Sequence, residues 1–251
     1  MRSSRERSSS SACRVVDSTG FYTWAERFFQ EREELLVRVL PFTPKSVVEV
    51  NEDELTASAV LEVELAYSGP ALPVNSESTC PGSDLYSAKI TYQAGLDRSA
   101  TFPVIENSSF QIRAAKSPAV RFEYERHKTS VPAAHIHVHG VGGLLSPGLM
   151  RNGKKGVRNG DWQSLHLPVG GHRFRPSMED FLYFTINECG FRAKENWEAT
   201  LLSARREWLD TQCRAAVRDS PEVAVEALKQ LGYTITPPET PQDLPQRHDG
   251  W

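Results

Sequence analysis

His135, His137 and His139 occupy alternate positions in the run Ala134-His135-Ile136-His137-Val138-His139-Gly140. Side chains of a strand point to opposite faces in turn, so the three imidazoles share one side, and Ile136 and Val138 are expected to face the core. Imidazole has an ordinary pKa near neutrality and is also the commonest metal ligand. Such a row can bind a metal, grip a phosphate or move a proton. Two histidines two residues apart on a strand can chelate one divalent ion (zinc, manganese or iron) if a third ligand arrives from elsewhere. His166 and His172 are the candidates, and the expected metal set is His135, His137 and His166. All three strand histidines do not readily serve one ion, because His135 and His139 lie ~13 Å apart along an extended chain. Without a metal, His135, His137, His139 and His172 are the candidate acid–base residues. The plainer alternative is a solvent-facing polar strand that happens to be rich in histidine.

A second constellation follows directly. The stretch from Arg151 to Arg158 is glycine-rich and basic, with Lys154 and Lys155 at its centre and Arg158 at its end, and Arg173 and Arg175 stand beyond it. Glycines let backbone N–H groups approach an anion, and guanidinium forks suit phosphate oxygens. Lys154, Lys155, Arg158, Arg173 and Arg175 are therefore the expected phosphate contacts. No GxxxxGK[ST] pattern is present, so the stretch is not a P-loop.

The elements that must position these residues are legible from periodicity. A helix is expected from Phe21 to about Leu40, with Trp24, Phe28, Leu35 and Val39 at helical spacing and Pro41 ending it. Strands follow. Leu61, Val63, Leu65 and Tyr67 alternate with Glu62 and Glu64, and the pattern repeats at Tyr86, Ala88, Ile90 and Tyr92 and again at Val120, Phe122 and Tyr124. Residues 45 to 140 thus read as one antiparallel sheet, with the histidine strand as its last clear member. A loop from Val141 to Gly160 and a short strand and turn over 164–176 precede Ser177, which reads as an N-cap with Glu179 and Asp180 in the first turn. That helix carries Phe181, Leu182, Phe184 and Ile186 and stops at Gly190. A second helix spans about 194–217, with Trp197, Leu201, Ala204 and Trp208 on one stripe that reads as core. A third starts at Ser220-Pro221 and ends at Gly232.

The fold class is therefore α+β: an antiparallel sheet with an N-terminal helix and a helical C-terminal subdomain. The expected organisation is a disordered tail over 1–18, an α+β domain over 19–190, a helical subdomain over 191–234 and a disordered proline-rich tail over 235–251. At 251 residues the chain can build one generous domain, and a hydrophobic fraction of 39% leaves part of it outside the core. A formal charge of −3 argues against wholesale coating of nucleic acid but allows a local basic patch. The four cysteines form no CxxC pair and read as free thiols of a reducing compartment, so the cytoplasm is the expected location. No apolar run approaches the ~20 residues needed to span a bilayer, so no membrane role is expected. Met1 to Ser11 lacks the apolar segment of a secretory signal.

Three resemblances bear on function. His135-Ile136-His137-Val138-His139 resembles the histidine-triad motif of nucleotide hydrolases, in which alternating histidines end a strand and contact a phosphate. His135-x-His137 with Pro168-Val169-Gly170-Gly171-His172 is similar to the metal motifs of cupins. Over residues 58 to 190, the strands running into Arg121-Phe122-Glu123-Tyr124-Glu125, the histidine strand, and His172-Arg173-Phe174-Arg175-Pro176-Ser177-Met178-Glu179-Asp180-Phe181 resemble the TumE-type toxins of bacterial toxin–antitoxin pairs. That resemblance implies a nucleic-acid-directed toxin, with RNA or a nucleotide as substrate and an antitoxin-like protein as partner. The reading that results is a hydrolase of phosphodiesters or nucleotides working through the histidine row. The rivals are a non-catalytic protein-binding module and a histidine-ligated metal-binding protein of cupin type.

Overall fold

The computed structural model describes residues 17–67, 85–97, 100–127, 133–139, 175–236 and 239. Helix α1 (Ser18–Val39) starts three residues before the expected Phe21, because the Asp17 side chain caps it by accepting the Gly20 N–H at 2.8 Å. It ends where expected. Leu40 is extended, as the residue before Pro41 must be to avoid its ring. Phe21, Ala25, Phe29 and Leu36 line the buried face of the helix.

Six strands follow: β1 (Lys45–Asn51), β2 (Thr56–Leu65), β3 (Tyr86–Leu96), β4 (Pro103–Ala114), β5 (Ser117–Glu125) and β6 (Ala134–Val138). Among the described residues they form one antiparallel sheet in chain order, with β1 and β6 at its edges. Register gives each face its character. Leu61, Ile90, Phe110, Phe122 and Ile136 form one continuous row across β2 to β6. This apolar face lies under the helices: Phe122, fully buried, meets Phe181 and Phe184 at ring-centre distances of 5.7 and 5.6 Å. Removing such a ring costs about 3–5 kcal/mol, so Phe122 is a firm anchor for the two residues that flank it, Arg121 and Glu123.

The chain closes with α2 (Met178–Tyr183), a π-helical turn (Phe184–Glu188), α3 (Trp197–Asp219) and α4 (Pro221–Gln230). Ser177 caps α2 as its sequence suggests, accepting the Asp180 N–H at 3.1 Å, and Gly190 takes the left-handed conformation that ends the segment. The sequence spacing does not foretell the π turn. On α3 only Leu201 is fully buried, with Trp197 and Ala204 packed against the core, so the apolar stripe is core only along its first two turns. No residue of α4 is buried. The architecture is α+β, with the helices packed on one face of the antiparallel sheet and polar side chains on the other. Among the described residues, no helix is long and apolar enough to cross a membrane.

The terminal tails over 1–16 and 240–251, the basic loop from Val141 to Gly160 and the strand and turn over 164–174 lie outside the described residues. His166, His172, Lys154, Lys155, Arg158 and Arg173 lie there with them. One orientation differs from expectation. Ile136 packs against the core, but Val138 is 46% exposed, because it is the final residue of an edge strand.

Candidate metal centre

The polar face of the sheet is built by the residues between the apolar anchors. One step to either side of the Phe122 row lie two cross-strand rows. His137, Arg121, Gln111, Lys89 and Glu62 form the first, and His135, Glu123, Ser109 and Thr91 the second. Facing residues of an antiparallel pair hold their Cβ atoms ~4.5–5.5 Å apart, so this register brings long polar side chains together. The register of β6 extends one residue beyond the strand. A bulge in β5 leaves Ala119 without a β4 partner, and its carbonyl accepts the His139 N–H at 2.9 Å.

Glu123 is the centre of the cluster. Its Oε2 lies 3.2 Å from His137 Nε2, 3.6 Å from His135 Nε2 and 3.5 Å from an Arg121 guanidinium nitrogen. One ligand atom from each of Glu123, His135 and His137 falls within 4.8 Å of the others. The two imidazole centres are 4.8 Å apart with their planes nearly perpendicular. Glu123 and His135 are mostly shielded, with side chains 17% and 14% exposed, and His137 opens to solvent. A carboxylate and two imidazoles converging in this way form a donor set for zinc, iron or manganese.

The second oxygen of the carboxylate is held separately. Gln111 Nε2 donates to Ser109 Oγ at 3.1 Å, and Ser109 Oγ donates to Glu123 Oε1 at 3.3 Å. The amide occupies the lone pair of the hydroxyl, so the hydroxyl proton is left for Glu123. Outer hydrogen bonds of this kind orient a ligating carboxylate. The His137 pKa is lowered, first because the imidazole is partly withdrawn from water. Glu123 opposes that shift, while His135, Arg121 and His139 add to it. The neutral ring is thus favoured, which is the form that ligates.

His135 and His137 are together, as the alternation requires. His139 is the next ring along, 6.0 Å from His137 between centres, and its Nε2 is buried with no hydrogen-bond partner among the described residues. Arg175 is elsewhere: its guanidinium lies over the Tyr124 ring at 4.3 Å, and Tyr124 shares the helix-covered face with Phe122. The structure therefore separates Arg175 from the histidines by the thickness of the sheet. Sequence reasoning missed Glu123 and Arg121. The alternation of Val120, Phe122 and Tyr124 already puts both on the polar face, but their pairing with β6 depends on a register that the intervening turn sets.

Comparison with known protein families, with curated proteins and with solved structures yields no match in any of the three.

Proposed function

We propose that Glu123, His135 and His137 bind a divalent transition ion, zinc before iron or manganese, and that the protein is a metal-dependent hydrolase of phosphate esters. The observation that carries this reading is the convergence of the three ligand atoms within 4.8 Å, two from one strand and one from its register partner. Held by Glu123, His135 and His137, a zinc ion would supply a water of lowered pKa and Lewis acidity toward a phosphoryl oxygen. The remaining roles fall to the chain's own residues. Arg121 lies against Glu123 with its side chain 29% exposed, which suits its guanidinium to a phosphoryl oxygen. His139, beside His137, is assigned the proton that the leaving oxygen needs. Further across the face, Lys89 and Arg113 share the single carboxylate of Glu62, at 3.2 and 3.4 Å, and extend the positive flank along which an anionic chain would lie.

The likeness of residues 58 to 190 to TumE-type toxins makes RNA the first polymer to try. The test is hydrolysis of bis(4-nitrophenyl) phosphate and of a mixed RNA by zinc-loaded protein, beside EDTA-treated protein and a His137→Ala variant. Turnover that needs zinc and falls at least a hundredfold in the variant supports the reading. Turnover that survives EDTA and the substitution contradicts it.

A second reading rests on α4. Val223 and Leu228 of this helix, and Leu231 and Tyr233 just beyond it, are exposed apolar side chains. They favour a partner-binding role for the C-terminal helices, in keeping with an antitoxin-like protein partner. Removal of residues 221–251 should then abolish complex formation and spare zinc binding.

A further inference from the structure

A cavity of about 490 Å³ lies on the helix-covered face, between α1, the far end of the β3–β4 ribbon and α3. The volume falls within the range of sites for small organic ligands. Its walls include the rings of Trp24, Phe28, Tyr92 and Trp208. Trp24 stacks on Phe28 at 5.3 Å, and Phe28 meets Tyr92 edge-on at 5.3 Å, so the aromatic surface is continuous.

The cavity is lined by as many carboxylates as arginines, Glu207 and Asp219 among them, but several of these groups are already engaged. Arg32 is bound to Glu179 at 2.8 Å and Arg27 to Glu31 at 2.8 Å, while Asp97 accepts the N–H groups of Thr101 and Phe102 at 2.8 and 3.0 Å. Arg126 and Arg175 also line the cavity, and neither makes an ion pair with a carboxylate among the described residues. The two guanidinium groups repel each other, and burial together with that repulsion lowers the Arg175 pKa against the support of Tyr124 and Tyr92. An arginine stays charged in a protein, so Arg175 is a partly desolvated cation set over the Tyr124 ring at 4.3 Å. Two guanidinium groups with no carboxylate partner among the described residues, beside an aromatic wall in a cavity of ligand size, suit an anion with a flat body.

We propose that this cavity is a second ligand site, for a small aromatic molecule bearing a phosphate or carboxylate, with Arg126 and Arg175 on the oxyanion and Tyr92, Phe28 and Trp208 against the ring. The site is independent of the metal centre, since the sheet lies between them. Phosphate and carboxylate are alike in charge and in fit to a guanidinium fork. Two probes therefore separate them: 2-naphthyl phosphate and 2-naphthoate, with uncharged 2-naphthol as the reference.

The experiment is titration calorimetry on the full chain in EDTA, which removes any ion at Glu123, His135 and His137, with tryptophan fluorescence from Trp24 and Trp208 as a second readout. At least one oxyanion should bind ten times more tightly than 2-naphthol, and the tighter of the two names the preferred group. Arg175→Gln should weaken that binding at least tenfold. Thr211→Trp should abolish it: Thr211 is an exposed position of α3 that lines the cavity, so the new ring fills the space without entering the core. This second variant keeps the test decisive if Arg175→Gln fails to fold. His135→Ala/His137→Ala should bind as the wild type does. Equal affinity for 2-naphthol, no binding up to millimolar concentration, or oxyanion binding indifferent to Thr211→Trp would overturn the proposal.

Discussion

Glu123→Gln separates a metal centre from a merely polar strand pair, because its cost depends on whether zinc is present. In metal-free protein the substitution removes one charge from a half-shielded cluster. The lost interaction is chiefly the 3.5 Å approach of Arg121, between side chains 29% and 17% exposed, and screened pairs of this kind contribute about 0–1 kcal/mol. The Ser109 hydrogen bond survives, since the glutamine carbonyl can accept it. Zinc changes the balance. A ligand held by the folded state alone stabilises it by about 2.7 kcal/mol at a hundred times its Kd. For a chain of this size that corresponds to a rise in melting temperature of about 5–10 °C. The variant has lost one of three ligands and should show a rise of no more than about 2 °C at the same zinc concentration. Differential scanning calorimetry of both proteins, with and without zinc, measures all four values. An equal rise in the two proteins, or none in either, would refute the assignment of Glu123 as a ligand.

Three other outcomes follow from the same geometry. Ser109→Ala leaves the three ligand atoms in place but frees Glu123 Oε1, and should weaken zinc about tenfold in a competition titration with a chromophoric chelator. The His137 pKa is depressed in the folded chain, so the neutral ring is favoured there while the unfolded chain takes up a proton near pH 6.5; His137 should therefore make stability of the metal-free protein fall as pH drops through and below that value, and the slope should be shallower in His137→Gln. A ring-proton NMR titration checks the same point, with a midpoint for His137 at or above 6.5 excluding the effect. Glu179→Ala should be severe: the carboxylate is fully buried against Arg32 at 2.8 Å, and stranding a buried partner costs about 3–5 kcal/mol, against less than 1 kcal/mol for Glu31→Ala in the exposed pair with Arg27, both read from urea unfolding.

Much of the scaffold is legible in the sequence because burial imposes a period. Leu61, Ile90 and Phe122 alternate with polar residues, and the chain obeys them by pairing its strands in order. Ser177 and Pro41 mark helix ends by local rules that tertiary packing has no reason to override. The site is only half legible. Alternation within β6 suffices to put His135 and His137 side by side, but Glu123 comes to them through the register of β5 against β6, which no local pattern states. The same limit explains Arg175. Closeness in sequence to the basic stretch suggests a shared phosphate site with the histidines, whereas the return of the chain beneath the sheet sets Arg175 over Tyr124 on the other face. On α3 the apolar spacing persists beyond the point where the helix leaves the core, so Trp208 reads as core and in fact borders a cavity.

Elemental analysis of the purified chain beside a His135→Ala/His137→Ala variant reads out whether Glu123, His135 and His137 hold an ion. The wild type should hold about one equivalent of zinc per chain, and the variant a small fraction of that. Absence of any transition metal from the wild type after zinc loading and desalting, or an equal content in both proteins, would contradict the metal assignment.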